Sequence, residues 1–131
     1  MAEFTREELL EIINNARKLR GADLQKLDLS GSDLRKANLI GTNLRMSNLY
    51  GSDLREADLR GAMLNGANLR KANLRRAQLF KADLREADLR DAQLLRANLR
   101  AANFTGAMYN IGTVWRKGFD PEAAGAVLVP E

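Results

Sequence analysis

The sequence contains neither cysteine nor histidine in its 131 residues. Without cysteine there are no disulfide bonds and no thiolate nucleophiles, and without histidine the commonest general base and metal ligand is missing. No P-loop, dinucleotide fingerprint or metal-ligand spacing takes their place. These absences predict a protein that is not an enzyme and that holds no cofactor or metal ion.

Long apolar runs are also missing from the chain. There is no stretch of about 18 apolar residues that could cross a membrane, and the charged N-terminus lacks the apolar region of a secretory signal. We therefore expect a soluble cytoplasmic protein. A length of 131 residues is that of a single domain.

What the sequence has instead is a repeat of five residues with a large apolar residue at each centre. The frame runs from Ala22 to Ile111 without insertion, which makes 18 quintets in 90 residues. Sixteen centres are leucine, beginning at Leu24, and the last two are Phe104 and Tyr109. A small residue usually stands two positions before the centre, and Asp or Asn directly before it.

This period of five fits neither an amphipathic helix, which needs 3.6 residues, nor a strand, which needs two. If the centre and the small residue both point inward, the chain must turn within every quintet. Stacked turns of this kind form a solenoid, in which no repeat buries its apolar face alone. The repeat therefore predicts an all-β solenoid with a narrow core of leucine and small residues.

Units such as Ala57-Asp58-Leu59 resemble those of the pentapeptide repeat family, and the resemblance covers residues 22–111. It implies a right-handed quadrilateral β-helix with four quintets per coil, so that 18 quintets give about 4.5 coils. Residues twenty apart then stack on the same face. With strand-like spacing between coils, the repeat region would be a rod roughly 20 Å long.

The segment before the repeat predicts a capping α-helix. Thr5 and Glu8 have the spacing of a capping box, and apolar residues then recur at helical spacing up to Leu19. Gly21 is a typical residue for ending a helix. We therefore expect a helix over about residues 6–20 that covers the first coil.

The segment after the repeat resembles the C-terminal segment of small pentapeptide repeat proteins from photosynthetic bacteria. Asp120 followed by Pro121 predicts the start of a short helical cap. A dimer contact is the alternative role, since some family members join end to end through their C-termini. The residues concerned are Trp115, Phe119, Val127 and Leu128. The predicted organisation is an N-terminal capping helix in 1–21, a β-helix in 22–111 and a C-terminal cap or tail in 112–131.

Charged residues flank many inward leucines, with an acid before the leucine and an arginine after it. Such neighbours emerge on the same side and predict exposed ion pairs. The pairs are Asp53–Arg55, Asp58–Arg60, Asp83–Arg85 and Asp88–Arg90. The quintets carry 15 Lys and Arg against 10 Asp and Glu, a net charge of +5, which we expect to be dispersed over all four faces.

Acids and bases stop balancing towards the end of the repeat. On one face Asn73 and Gln93 stand where Asp33 and Asp53 stood in the earlier coils. The sequence therefore predicts a basic surface that would suit an acidic partner, although the same arginines could serve only to keep the rod soluble. The candidate partner-binding residues are Arg75, Arg76 and Arg96, with Phe80 and Arg100 round the corner.

Hydroxyl groups occupy some of the small inward positions. Thr42, Ser47 and Ser52 fall in one coil, and Ser32 lies beneath Ser52. With no histidine to activate them, we expect these hydroxyls to bond to nearby backbone and not to act in catalysis.

Three functions remain open for such a chain. The first is a non-catalytic scaffold that holds another protein on its flat faces. The resemblance implies the second, a mimic of duplex DNA that binds DNA gyrase as some family members do, but the net positive charge has the wrong sign. The third is weak binding to nucleic acid or another polyanion. A homodimer through the C-terminal end is compatible with each of them.

Overall fold

The computed structural model describes residues 19–130 and, nearer the N-terminus, Thr5, Glu7, Glu8 and Glu11. In this part of the chain two strands have more than one paired residue. They are β1, Met108–Tyr109, and β2, Val127–Leu128, which pair in parallel. The described residues include no helix long and apolar enough to span a bilayer.

The rest of the described chain meets itself every twenty residues. Parallel bridges join residues twenty apart in an unbroken series, from Asp23 with Asn43 to Asp88 with Met108. Twenty residues are four quintets, so four successive quintets form one coil and the next coil stacks on it. Apart from the quintet that contains β1, each quintet contributes one bridging residue, because the chain turns before a longer strand can form.

Leucine and small residues fill the space inside the coils. The leucine centres from Leu24 to Leu94 are at most 1% exposed, and the alanines between Ala57 and Ala97 that precede a centre are as deeply buried. The two inward positions of the predicted quintet are therefore confirmed.

Each corner of the coil is a hydrogen-bonded turn that ends the quintet. The amide of Ala57, for example, donates to the carbonyl of Leu54 over 3.0 Å. Between them Glu56 has a φ of +59°, in the left-handed region. All 17 quintets that end between Lys26 and Gly106 close with a residue of positive φ, and eleven of these residues are not glycine. Stacking on the neighbouring coils holds a conformation that most side chains disfavour.

The Asp or Asn before each centre has a backbone role that the repeat pattern alone did not reveal. Its Oδ1 accepts a hydrogen bond from the amide two residues later, as Asp53 does from Arg55 over 3.2 Å and Asn48 does from Tyr50 over 3.1 Å. Asp and Asn are the residues that make this local turn bond most readily. All fourteen such residues between 23 and 103 make it.

The N-terminal helix lies mostly outside the described residues. Where it is described, Glu7, Glu8 and Glu11 are helical. Thr5 and Glu8 exchange two hydrogen bonds of 3.1 Å, each between a side-chain oxygen and the other's amide, which is a capping box.

The prediction of a helix up to residue 20 is wrong at its end. Leu19 is buried, and its amide donates to Asn38 over 3.0 Å, while Gly21 donates to Ile40 over 2.9 Å. Leu19 stands five residues before Leu24, so it already has the phase of a quintet centre. Gly21, with a φ of +71°, closes that quintet and does not end a helix.

The stack continues past the repeat by way of a one-residue insertion. Gln93 pairs with Val114, twenty-one residues on. Two buried side chains hold the extra residue. The Asn110 Oδ1 accepts from the amides of Asp91 over 3.0 Å and Gly112 over 3.1 Å, and the Thr113 hydroxyl donates to the carbonyl of Leu89 over 2.8 Å. We call residues 110–113, held in this way, the splice.

The predicted C-terminal helix is wrong. Asp120 does accept a hydrogen bond from the amide of Ala123 over 3.2 Å, as a helix N-cap would, but residues 121–125 form only hydrogen-bonded turns. Gly125 has a φ of +89°, which ends the turn after a single round. The chain then enters β2, where the amide of Val127 donates to Ala107 over 2.7 Å.

Candidate binding surface

The four faces of the coil differ sharply in net charge. We number them 1 to 4 from the quintets centred on Leu24, Leu29, Leu34 and Leu39. Within residues 22–111, faces 1 and 2 each carry three cations and three acids. Face 3 carries six cations and three acids, and face 4 three cations and one acid. The expected dispersal over four faces is therefore wrong, because the whole excess of +5 lies on two adjacent faces.

In the early coils of faces 3 and 4, acids neutralise the arginines. Arg55 donates two hydrogen bonds to Asp53, from Nε to Oδ1 over 2.9 Å and from Nη2 to Oδ2 over 2.6 Å. Arg60 holds Asp58 in the same way. These bonds lower the pKa of both carboxyl groups below the usual value for aspartate. All four ion pairs predicted from the sequence are confirmed at 2.6 Å.

The later coils of the same two faces replace these acids by amides. The residues before the centres are Asn73 and Gln93 on face 3 and Gln78 and Asn98 on face 4. The last acid on either face within the repeats is Asp58. Between Asp58 and residue 111, every charged residue on faces 3 and 4 is a lysine or an arginine.

These cations form a surface with no carboxylate of its own. Within the described residues, none of its cations comes within 4.0 Å of an acidic oxygen. The arginines are exposed, and each either follows a centre or closes a quintet. We define the basic patch as Arg75, Arg76, Phe80, Lys81, Arg96 and Arg100.

Phe80 gives the basic patch an aromatic centre. Lys81 Nζ lies 5.3 Å and the Arg100 guanidinium carbon 5.7 Å from the middle of its half-buried ring. Cations at this distance are attracted to an aromatic face. Below Phe80 a shallow groove of about 460 Å³ runs along face 4 past Arg60 and Ile40.

The structure brings together the five residues that the sequence singled out for a partner. Arg75, Arg76 and Arg96 lie on face 3, and Phe80 and Arg100 lie across the corner on face 4. Sequence reasoning missed Lys81 and the amides of face 4, Gln78 and Asn98. A comparison of residues twenty apart would have found them, since Asp58, Gln78 and Asn98 share one column.

The four C-terminal candidates separate into two pairs. Trp115 and Phe119 are half-buried and stack on each other at 5.0 Å between ring centres, and both meet the edge of Phe104. Val127 and Leu128 are 48% and 52% exposed at the end of the stack. The first pair packs inside the chain, whereas the second offers an apolar end.

The inward hydroxyls divide in the same way. Thr42 and Ser47 donate to the carbonyls of Leu39 and Leu44 over 2.8 and 2.7 Å, as predicted. For Ser32 and Ser52 the prediction is wrong, because their buried Oγ atoms make no hydrogen bond within the described part of the chain. That part also contains no cluster of three or more acidic residues arranged to hold a metal ion.

The chain is similar in sequence and in structure to known proteins. The pentapeptide repeats family matches eight copies over residues 18–55, 52–90 and 77–108. No curated protein matches. Among solved structures, alr5209, a pentapeptide repeat protein from Nostoc PCC 7120, is 32% identical, with 95% of this chain and 96% of that one covered and a TM-score of 0.55.

A second similar structure is HetL, a pentapeptide repeat protein involved in heterocyst differentiation regulation in the cyanobacterium Nostoc sp. strain PCC 7120. It is 33% identical over 83% of this chain, with a TM-score of 0.57, and the match spans about half, 54%, of HetL. Proteins with these repeats are right-handed quadrilateral β-helices. The pairing every twenty residues and the family match over most of the chain lead to one conclusion. The chain belongs to the pentapeptide repeat family.

Proposed function

We propose that the protein is a non-catalytic scaffold that holds another protein against the outside of its coil. The observation that carries the proposal is the basic patch. Faces 1 and 2 carry as many acids as cations, whereas the later coils of faces 3 and 4 carry cations and amides but no acid, which leaves exposed arginines around Phe80. A charged surface of this kind, rimming an aromatic residue, is suited to recognising a partner.

The backbone suits the role of a rigid platform. Each coil donates amides to the next, as Arg76 does to Leu95 over 2.9 Å and Lys81 does to Arg100 over 3.0 Å. Because the backbone beneath the patch is fixed in this way, little ordering cost is added when a partner binds. A non-catalytic role is also supported by the inward hydroxyls, which are buried and have no histidine to activate them.

The proposal extends to the ends of the rod. The architecture that we propose has about 4.5 coils between residues 22 and 111, with Trp115 and Phe119 covering the last core residues. The cover that we propose for the first coil is the N-terminal helix, most of which lies outside the described residues. We also propose a homodimer through the C-terminal end, which the half-exposed Val127 and Leu128 support. Sedimentation of Val127→Lys beside the wild type would test it, because a charge there should prevent apolar self-association.

A relative and a competing function bear on this proposal. HetL is involved in regulating heterocyst differentiation, so our proposal includes a regulatory role that this protein would exert by binding its partner. The competing function is mimicry of DNA towards gyrase. That function requires an acidic surface, and no face of the repeats carries an acidic excess.

The test is affinity capture from a lysate of the source organism, with nuclease added to remove bridging nucleic acid. The variant Arg75→Glu, Arg76→Glu, Arg96→Glu should lose a protein that the wild type retains. A matched control, Lys26→Glu, Arg45→Glu, Lys71→Glu, makes the same change of charge on faces 1 and 2 and should retain it.

Both triple variants should fold, since exposed charges add about 0–1 kcal/mol each to stability. Equal loss in both variants, or no specific protein on any bait, would contradict a scaffold that works through the patch.

A further inference from the structure

On faces 3 and 4, arginines at equivalent positions of different coils follow either an aspartate or an asparagine. Asp53 and Asn73 are bridge partners one coil apart, and each accepts the amide of its arginine, Arg55 or Arg75, over 3.2 Å. The backbone geometry is therefore shared. The Arg55 guanidinium binds both carboxylate oxygens of Asp53, whereas Asn73 offers Arg75 a single, uncharged side-chain oxygen.

The same exchange occurs on face 4. Asp58 binds the Arg60 guanidinium, while two coils further on Asn98 accepts only the amide of Arg100 over 3.2 Å. Asn98 turns its own amide group to Gln78 instead, at 3.2 Å. Arg75 and Arg100 thus retain the backbone setting of an ion pair whose acid is missing from the chain.

We infer that the partner is an acidic segment of another protein, whose carboxylates take at Arg75 and Arg100 the role that Asp53 and Asp58 play at Arg55 and Arg60. The inference rests on the proposed scaffold function and names its partner chemistry. Guanidinium and carboxylate match in a two-bond geometry, which the chain itself forms at the earlier coils. Arg76 and Arg96 lie beside this position on face 3 and add to its positive potential.

Phe80 adds an apolar element to the surface. Its ring is half-buried at the top of the groove that passes Ile40. An apolar side chain placed among the acids of the segment would cover the ring and shield the charged contacts from water.

The extent of the patch favours a short acidic segment over nucleic acid. The patch occupies two successive coils, about 10 Å along the axis. On the coil below it, Arg55 and Arg60 are already bound to Asp53 and Asp58, so a phosphate chain that continued in that direction would find no unpaired arginine there. Nucleic-acid affinity comes from many phosphate contacts in series, whereas a peptide can follow its acids with neutral residues.

The inference is tested with a short fluorescent peptide that has a leucine after every pair of glutamates. The comparison probes are the same peptide with glutamine for glutamate and a single-stranded oligothymidylate. Fluorescence anisotropy should show binding of the glutamate peptide to the wild type, weaker binding of the oligothymidylate and none of the glutamine peptide.

The decisive variant supplies the missing acids from within the chain. Asn73→Asp with Asn98→Asp should pair Arg75 and Arg100 and weaken peptide binding at least about tenfold, since charge-assisted contacts dominate such sites. The matched control, Asn43→Asp with Asn68→Asp, makes the same charge change beside Arg45 and Arg70 on faces 1 and 2. It should weaken binding less than about twofold. Aspartate keeps the hydrogen bond that asparagine accepts from the backbone amide. The bond from Asn98 to Gln78, which the first variant loses, is exposed, so both variants should melt close to the wild type.

Three results would overturn the inference: no binding of the glutamate peptide, tighter binding of the oligothymidylate, or equal weakening by both double variants. The capture experiment separates this failure from failure of the scaffold function. If the triple variant at the patch loses a captured protein but the glutamate peptide does not bind, the scaffold function is supported and the acidic segment is excluded as its partner.

Discussion

At the scale of single residues, the unusual feature is the positive φ at every corner from Lys26 to Gly106. Neither the leucine pattern nor the charges predict it, because the position accepts lysine, glutamate, arginine and glycine alike. Only glycine adopts this region without a steric cost. The non-glycine corners therefore hold strain that the stacked coils overcome.

Exchanging glycine and alanine at two corners measures that strain. A Cβ on Gly41 would meet no atom within 4 Å, so Gly41→Ala changes only the backbone preference at a φ of +65°. We expect it to destabilise the protein by about 1 kcal/mol. Ala101, at a φ of +60°, provides the reverse change, and Ala101→Gly should stabilise by a similar amount. Urea denaturation checks both, and shifts of the same sign would contradict the strain argument.

The buried serines provide a second residue-scale prediction. Ser52 Oγ makes no hydrogen bond in the described structure, whereas Ser47 Oγ donates to Leu44 over 2.7 Å. Alanine fits the column of Ser52, since Ala72 occupies it one coil later. Ser52→Ala should therefore stabilise by about 1 kcal/mol, and Ser47→Ala should not. Thermal melting distinguishes them, and a loss of stability in Ser52→Ala would mean that its hydroxyl is satisfied.

Several features at this scale follow from spacing and were predictable. The inward leucines and the Asp53–Arg55 type of pair depend only on which residues stand one or two places apart. That the Oγ atoms of Ser32 and Ser52 make no hydrogen bond in the described structure was not predictable, because a serine and an alanine fill the same small space. Whether the hydroxyl finds a carbonyl depends on its rotamer, which the repeat pattern does not specify.

At the scale of structural elements, the splice at 110–113 joins the regular coils to the tail. Asn110 is 3% exposed, and its Oδ1 takes the place of a backbone carbonyl as acceptor for Asp91. One side chain therefore keeps the hydrogen-bond ladder between coils continuous at the point where the spacing of paired residues changes from twenty to twenty-one. Sequence analysis found the end of the repeat near Ile111 but not this device.

Removal of the Asn110 side chain tests the splice. Asn110→Ala leaves the amides of Asp91 and Gly112 without their acceptor, and we expect a cost of about 2 kcal/mol. The loss should be local, so hydrogen exchange should quicken at Val127 and Val129 while the coils remain protected.

Asn103→Ala is the control for this experiment. It removes a similar bond, to the Thr105 amide over 3.0 Å, from an exposed side chain. Uniform exchange throughout the chain in Asn110→Ala would show that the splice is not a separate unit.

The two ends show where element prediction failed. The N-terminal helix was extended too far because Leu19 fits helical spacing and quintet spacing equally well, and pairing with Asn38 decides between them. The C-terminal helix was predicted from its first two residues, Asp120 and Pro121. Gly125 and the pairing of Val127 with Met108, a contact distant in sequence, overrode that local signal.

At the scale of the whole molecule, the arginine-bound aspartates set the response to acid. Hydrogen bonds from Arg55, Arg60 and Arg85 lower the pKa of Asp53, Asp58 and Asp83 from the usual 3.8. A carboxyl group with a lowered pKa in the folded state stabilises the fold above its unfolded pKa, and this stabilisation is lost as the pH falls through the folded value. Because several aspartates share this arrangement, the stabilisation that each loses in acid adds to that of the others.

We therefore expect the melting temperature to fall as the pH drops below about 4, the ordinary range of aspartate. Between pH 5 and 8 it should stay level, because the chain has no histidine to titrate. The variant Asp53→Asn, Asp58→Asn keeps the backbone bonds and should respond less to acid. A melting temperature that stays constant down to pH 2, or a double variant as acid-sensitive as the wild type, would contradict this account.

The regular return of the chain after twenty residues restricts how its length can change. Removal of a full coil would leave every later residue above its former column, so the sides of the rod would keep their identities. Removal of one quintet would also leave every leucine inward, yet all later side chains would rotate by a quarter turn. Arg75 and Arg76 would then lie above another column, and the rod would present a new combination of charges without any new residue. Small deletions in such a chain therefore act as a means of shuffling its surface while the core stays intact.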